Sequence, residues 1–280
     1  MKGAIPYLFL LPALLFLALF AFLPMGQIFY YSLLNYSAFG PSEFVGASNF
    51  VRLVNDGNFW WTLANSFLLV LVTPVIMVVA LSLALLVRRE VRIGKPFRLL
   101  FFLPVITPIV IVGIIWRWIF AEETGMLNYL LSLFSLPSVH WLTDYPTTTV
   151  SIMIVTLWRG AGYYMMVFLA GLAVIPREVE EASLIDGAGW LQQTVHITIP
   201  LLKPTLTLVF VVSSTAAIKM FTEVYTIIPG APIANKTLVV YLYQQAFERF
   251  DFGYGSAIAV VLFLLTITFS YTNVRLMESR

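Results

Sequence analysis

The sequence predicts an all-α polytopic membrane protein with about six transmembrane helices. Three observations carry that class. Sixty per cent of the 280 residues are hydrophobic and 11% are charged, against roughly 45–50% and about 25% in a soluble domain; mean hydropathy is +0.91. Several apolar runs continue for about 20 residues, the length a helix needs to cross a bilayer and about twice that of a barrel strand. The cations are also unevenly placed, with five of the sixteen Lys and Arg residues between Arg88 and Arg98. By the positive-inside rule that connection is cytoplasmic.

Composition excludes several classes. A net charge of +2 offers no basic surface for nucleic acid. The chain has no cysteine, which removes disulfides, thiolate catalysis and cysteine-based metal sites. His140 and His196 are far apart in sequence, and no donor spacing supports metal chemistry.

Taken in order, Lys2 and the apolar run from Ala4 to about Leu34 resemble a signal peptide. The run exceeds a roughly 7–15-residue h-region, however, and no small-x-small site follows it. It is expected to be an uncleaved first span, with Pro12 and Pro24 tolerated because neighbouring helices satisfy the freed carbonyls. Residues 35–60 are polar and punctuated by Gly40-Pro41, Gly46, Asn49, Asn55 and Asp56, the pattern of a loop. Phe59, Trp60 and Trp61 mark a membrane interface. The second span is expected from about Thr62 to Val87 and the third from Leu99 to Phe120, with Pro104 and Pro108 inside it. Residues 121–147 lack Lys and Arg and read as an external loop. The fourth span covers about Thr148 to Ile175, the fifth Leu201 to Tyr225, and an external stretch runs to Gly253. The sixth, Tyr254 to Asn273, ends at Arg275 and Arg280. Lys2, Arg177, Lys203, Arg275, Arg280 and the 88–98 cluster fall on one side, against Arg52, Lys236 and Arg249 on the other. Both termini are therefore expected in the cytoplasm.

Between the fourth and fifth spans lies a polar, helix-prone stretch from Pro176 to Pro204. Pro176 suits the first position of a helix, where its missing N–H costs nothing. Glu178, Glu180 and Glu181 fall where the helix dipole favours carboxylates. Val179, Ala182, Ser183 and Asp186 are three or four apart and form a small, weakly polar face. Gly187, followed by Gly189, can end the helix in a left-handed turn. A short helix tied to a span at each end is a lever.

Glu181-Ala182-Ser183, then Gly187, then Ile197-Thr198-Ile199-Pro200 resembles the cytoplasmic EAA signature of binding-protein-dependent ABC importer permeases. The spacing fits throughout; Ser183 stands for the second Ala and Ile199 for Leu. Asp186-Gly187-Ala188 is similar to the sugar-permease branch, as are Phe44-Val45-Gly46, Ile115-Trp116-Arg117-Trp118, Ala170-Gly171-Leu172, Tyr243-Gln244-Gln245-Ala246-Phe247 and Gly253-Tyr254-Gly255-Ser256-Ala257. The resemblance covers nearly the whole chain and implies the type I ABC importer transmembrane fold. It divides the chain into a first helix with an external loop, 1–61, and a five-helix core, 62–280, that includes the coupling helix 176–187. It further implies that Glu178, Glu181, Ala182, Ser183, Asp186, Gly187 and Ala188 serve coupling to a separate ATPase. The implied partners are a second homologous permease, two ATPase subunits that carry ATP and Mg, and an extracytoplasmic solute-binding protein. The setting is a bacterial or archaeal inner membrane.

Other motifs admit simpler roles. Gly230 to Thr237 nearly spells a phosphate-binding loop, but Asn235 occupies the position before Lys236 where Gly must let the backbone close round phosphate. The family's Gly-Gly-Pro is here Pro229-Gly230-Ala231-Pro232. Arg159, Lys219 and Glu223 lie in or beside apolar spans, where a charge costs about 2.5–3.5 kcal/mol or more. Lys219 and Glu223, four apart, are expected to pair along the fifth span, and Arg159 to reach Glu223 from the fourth. These groups either form a structural ion pair or line a solute path. Trp158, Tyr163, Phe221 and Tyr225 add rings on which the C–H faces of a sugar can stack, within the mixture of apolar wall and placed polar groups that a binding site needs. Gly160 and Gly162 serve that path or close helix packing.

The expected function is the permease subunit of an ATP-driven importer for an oligosaccharide or disaccharide. It works by alternating access and is not itself an enzyme. The alternatives are an ABC permease for a glycerophosphate, polyol or peptide, or an ATP-independent secondary transporter, which calls for inverted repeats and broken helices. An intramembrane enzyme would need a clustered nucleophile and base that the chain lacks.

Overall fold

The computed structural model describes residues 5–37, 40–88 and 94–278. The cation-rich connection is described only at its ends: Arg89 and Arg92, like Lys2 and Arg280, lie outside the described residues. Four described helices are long and apolar enough to cross a membrane: Phe9–Tyr31, Gly57–Arg88, Thr147–Ala173 and Phe252–Leu276. Two bent pairs, Pro96–Ile106 with Ile109–Ile119 and Trp190–Leu201 with Lys203–Ile218, raise the number to six if each is one span. These are called the first to sixth spans in chain order.

The breaks correct the expectation of continuous third and fifth spans. The third bends by 95° between Ile106 and Ile109. Pro108 sits outside the helix at φ −54, ψ 128, and a proline drives the residue before it out of the helical region. Thr107 donates its hydroxyl to Leu103 O at 3.0 Å. Pro104, by contrast, stays inside the first half. The fifth bends by 69° at Leu202, the cap on which Lys203–Ile218 begins with a proline in its first turn. That helix ends at Ile218, and a separate helix, Thr222–Ile227, follows. Thr237 donates its hydroxyl to Met220 O at 2.7 Å, satisfying a buried backbone group in the gap between the two helices.

Packing divides the chain into two compact units, Met1–Trp60 with Leu238–Ile267, and Trp61–Thr237 with Thr268–Arg280. The expected boundary at residue 61 is close to the first cut, but 238–267 belongs with the N-terminal segment rather than with the core. In that first unit Leu34–Asn35 pairs antiparallel with Glu43–Phe44. Asn49 donates to Ser32 O and Leu34 O at 3.0 and 2.8 Å. The stretch read as an external connection contains a helix, Leu238–Tyr243, with Leu238, Val240 and Tyr241 buried. Asp56 accepts hydrogen bonds from the phenols of Tyr241 and Tyr254. Burial pushes the Asp56 carboxyl up, but these donors and the backbone N–H groups of Asn58 and Phe59 outweigh it and leave the group below its ordinary value.

In the second unit the core is the seam between the second and fourth spans. Ile76, Ala80, Ala84 and Val87 repeat at three or four residues and meet Met165, Phe168 and Leu172. Lipid is as apolar as leucine, so close packing rather than escape from water drives such a pair. The two alanines, fully buried, let the backbones approach.

Candidate functional site

The helix between the fourth and fifth spans forms at Arg177–Ile185. Pro176 is its N-cap, extended at φ −60, ψ 136, and not its first helical residue as expected. Glu178 and Glu180 lie in the first turn. Gly187 ends the helix at φ 81. The N–H of Ala188 reaches Ser183 O at 2.9 Å and that of Gly187 reaches Leu184 O at 3.1 Å, the two bonds of a Schellman motif. Glu178, Glu181, Ala182, Asp186 and Gly187 are exposed, and Ala188 is half-buried. Ser183 is buried: its hydroxyl donates to Glu180 O at 2.7 Å and accepts from Gln193 Nε2 at 3.0 Å. The weakly polar face read from the sequence is therefore split, with Ser183 turned inward. Sequence reasoning passed over Leu184 and Ile185, which are 61% and 87% exposed. Two apolar residues beside the capping glycine of a polar helix were the available signal.

Within the same unit a cavity of about 830 Å³ is lined by Arg159, Tyr163, Lys219, Phe221 and Glu223. The other two expected path residues do not line it. Trp158 packs edge-on against Trp116 with centroids 5.6 Å apart, and Tyr225 stacks on Phe221 at 5.2 Å. Thr156, Ser213 and Thr215 add hydroxyls that the sequence reading missed. Thr156, Arg159 and Tyr163 share one face of the fourth span, so helical spacing could have found the first. Arg159 Nη1 lies 3.7 Å from Glu223 Oε1, the cross-span pair expected. The Lys219–Glu223 pair does not form, because the helix ends at Ile218, just before Lys219, and i, i+4 geometry is lost. Arg159 Nε is buried without a hydrogen-bond partner. The lining thus carries two cations and one carboxylate.

Gly162 packs rather than lines: a Cβ there would fall 1.8 Å from the carbonyl oxygen of Phe101. The phosphate-loop lookalike is tied up in its own turn, with Lys236 Nζ donating to Pro229 O at 2.9 Å. His140 pairs with Glu122 at 2.9 Å, and His196 Nδ1 meets Gln192 O. No cluster of potential metal ligands occurs among the described residues.

Broken helices around a charged cavity, with an exposed helix between two spans, define a solute permease of the membrane. Comparison with known proteins supplies the family. Residues 76–280 match the binding-protein-dependent transport system inner membrane component, and the chain belongs to that family of multi-pass ABC transporter permeases. Its members are transport components, not enzymes. Over 98% of its length it is 36% identical to a probable ABC transporter permease, YurN, of Bacillus subtilis, covering 96% of that protein. It is 33% identical to the arabinooligosaccharide permease AraP of the same organism over 99% of this chain and 90% of that one. A solved bacterial transporter for the acidic polysaccharide alginate shares the fold, with a TM-score of 0.86, 20% identity and coverage of 99% and 96%.

Proposed function

We propose that this permease imports an oligosaccharide or disaccharide by alternating access. It would do so with a second homologous permease, two ATPase subunits that bind ATP and Mg, and an extracytoplasmic solute-binding protein. Both termini and the 177–185 helix face the cytoplasm in this reading, which the placement of the cations supports. The observation that carries the substrate class is the cavity: apolar walls, a ring at Phe221, hydroxyls at Thr156 and Thr215, and charged hydrogen-bonding groups form the mixture that carbohydrates need. The names of the arabinooligosaccharide permease and of the trehalose/maltose permease of Thermococcus litoralis, 29% identical, support it. Glu178, Glu181, Ala182, Asp186, Gly187 and Ala188, with Leu184 and Ile185, would meet the ATPase, while Ser183 shapes the helix from inside. Uptake of labelled di- to tetrasaccharides by the complete complex in proteoliposomes tests the reading. ATP-dependent uptake of a peptide or polyol, with every saccharide ignored, would overturn it.

A second reading, a solute with an anionic group such as a glycerophosphate or acidic sugar, is favoured by Lys219. It lines the cavity with no carboxylate partner among the described residues, whereas Arg159 already faces Glu223. Lys219→Gln separates the two: uptake of an anionic solute falls, and that of a neutral saccharide does not.

A further inference from the structure

The second span ends at Arg88, whose guanidinium makes two attachments. One is an ion pair with Glu180 on the 177–185 helix. The other is a hydrogen bond from Nη2 to Leu172 O at 3.2 Å, one of the last four carbonyls of the fourth span, which also accepts from the Ile175 N–H at 3.4 Å. The side chains of Arg88 and Glu180 are 27% and 25% exposed, so solvent and salt screen them less than a surface pair. Among the described residues, this pair ties the exposed helix to the second and fourth spans, beside the covalent chain through Val174–Pro176 and the Gln193 hydrogen bonds to Glu180 O and Ser183. The two spans that Arg88 grips are also packed on each other from Val72 to Val87 and from Tyr164 to Leu172. Their far portions line the cavity through Val72 and Ile76, and through Thr156, Arg159 and Tyr163.

We infer that Arg88 and Glu180 form a strut that carries displacement of the 177–185 helix into the second and fourth spans as one body, and so to the cavity wall. Arg88 is thus a positioning residue for coupling. This rests on reading 177–185 as the helix that docks on the ATPase. A guanidinium is suited to the role because its planar fork can serve a carboxylate and a carbonyl together, which a carboxylate–ammonium pair does less rigidly. Where the strut is cut, the helix still docks but its motion is absorbed in the Val174–Pro176 connection.

The test uses the whole complex with its ATPase subunits, in a cysteine-free background that this chain already provides. Spin labels at Met166→Cys and Val212→Cys report the distance between the fourth and fifth spans with and without ATP and vanadate. In the otherwise native complex the distance distribution shifts on trapping. Arg88→Ala and Glu180→Gln are expected to abolish that shift, and to lower solute-stimulated ATPase activity by about two- to thirtyfold, the range over which single residues modulate coupling. The ATPase subunits still co-purify. Arg88→Lys, which keeps the charge, is expected to restore part of the shift. An unchanged shift in Arg88→Ala overturns the strut, as does loss of the ATPase subunits from that variant, which would make the pair part of the docking surface. Failure of the unsubstituted complex to hold its ATPase would instead strike the docking reading itself.

Discussion

Two ion pairs in the second unit are built from the same residue types and differ in what surrounds them. Arg88–Glu180 is closed: the guanidinium has a second acceptor in Leu172 O, and the neighbouring Ser183 and Gln193 satisfy each other and Glu180 O. Arg159–Glu223 is open: its charged atoms stand 3.7 Å apart, Arg159 Nε has no partner, and Lys219 adds a cation beside the same cavity. Unsatisfied buried polar groups cost stability, so a pair whose needs are met holds structure, whereas one with needs left over suits a site where a visitor supplies the missing bonds. On the reading proposed above, the closed pair belongs to the part that would transmit force and the open pair to the part that would meet solute.

The largest expected effect falls on the closed region. Gly187→Pro is incompatible with the observed φ of 81, since proline is locked near −65°. Glu181→Lys reverses the charge on the exposed face of the helix. Both variants are expected to insert normally and to lose uptake, as measured by membrane fractionation beside a transport assay; normal uptake in both would remove the lever. In the open region, Arg159→Ala should shift the half-saturation for solute, or selectivity between solutes, by about tenfold through the unpartnered Glu223. ATPase assembly should stay unchanged, and identical kinetics for every solute would reduce the pair to structure.

Smaller effects sharpen the contrast through stability. Gly162→Ala drives a methyl into Phe101 O and should cost about 1–3 kcal/mol by overpacking, read as a lower Tm in detergent. Gln193→Ala removes the tie to Ser183 and should cost about 0.5–1.5 kcal/mol, visible as faster amide exchange confined to 177–185. The smallest effect concerns the His140–Glu122 pair. Its hydrogen bond to Glu122, then the charges of Glu122 and Asp144, raise His140 above its ordinary 6.5. A raised folded-state value means that the stabilisation is complete below pH 6.5 and fades as pH rises through that higher value. His140→Gln should therefore slow or quicken nothing at high pH, yet loosen residues 121–147 at pH 6, as hydrogen exchange would show.

How much of this was legible depended on range. The helix 177–185 was readable because its signals are local: carboxylates in the first turn and a glycine where the backbone turns left-handed. Five of the seven expected path residues line the cavity, because a charge or ring in an apolar run is conspicuous. Trp158 and Tyr225 were misplaced because an aromatic ring finds other rings as readily as a cavity, and sequence does not say which. Lys219 was mispaired because the helix stops at Ile218 and a new one starts at Thr222, a break that no local residue pattern announces.

By itself the sequence determined the class, the approximate places of the apolar spans, and the short helix between the fourth and fifth with its capping glycine, because hydropathy and cap chemistry act over a few residues. Only the tertiary structure decided where the third and fifth spans break, that 238–267 packs with the N-terminal segment, that Ser183 faces inward, and that Arg88 meets Glu180. Those outcomes rest on groups brought together across long stretches of chain. A proline permits a bend and an arginine permits a pair, but the neighbour that the fold supplies decides whether either is used.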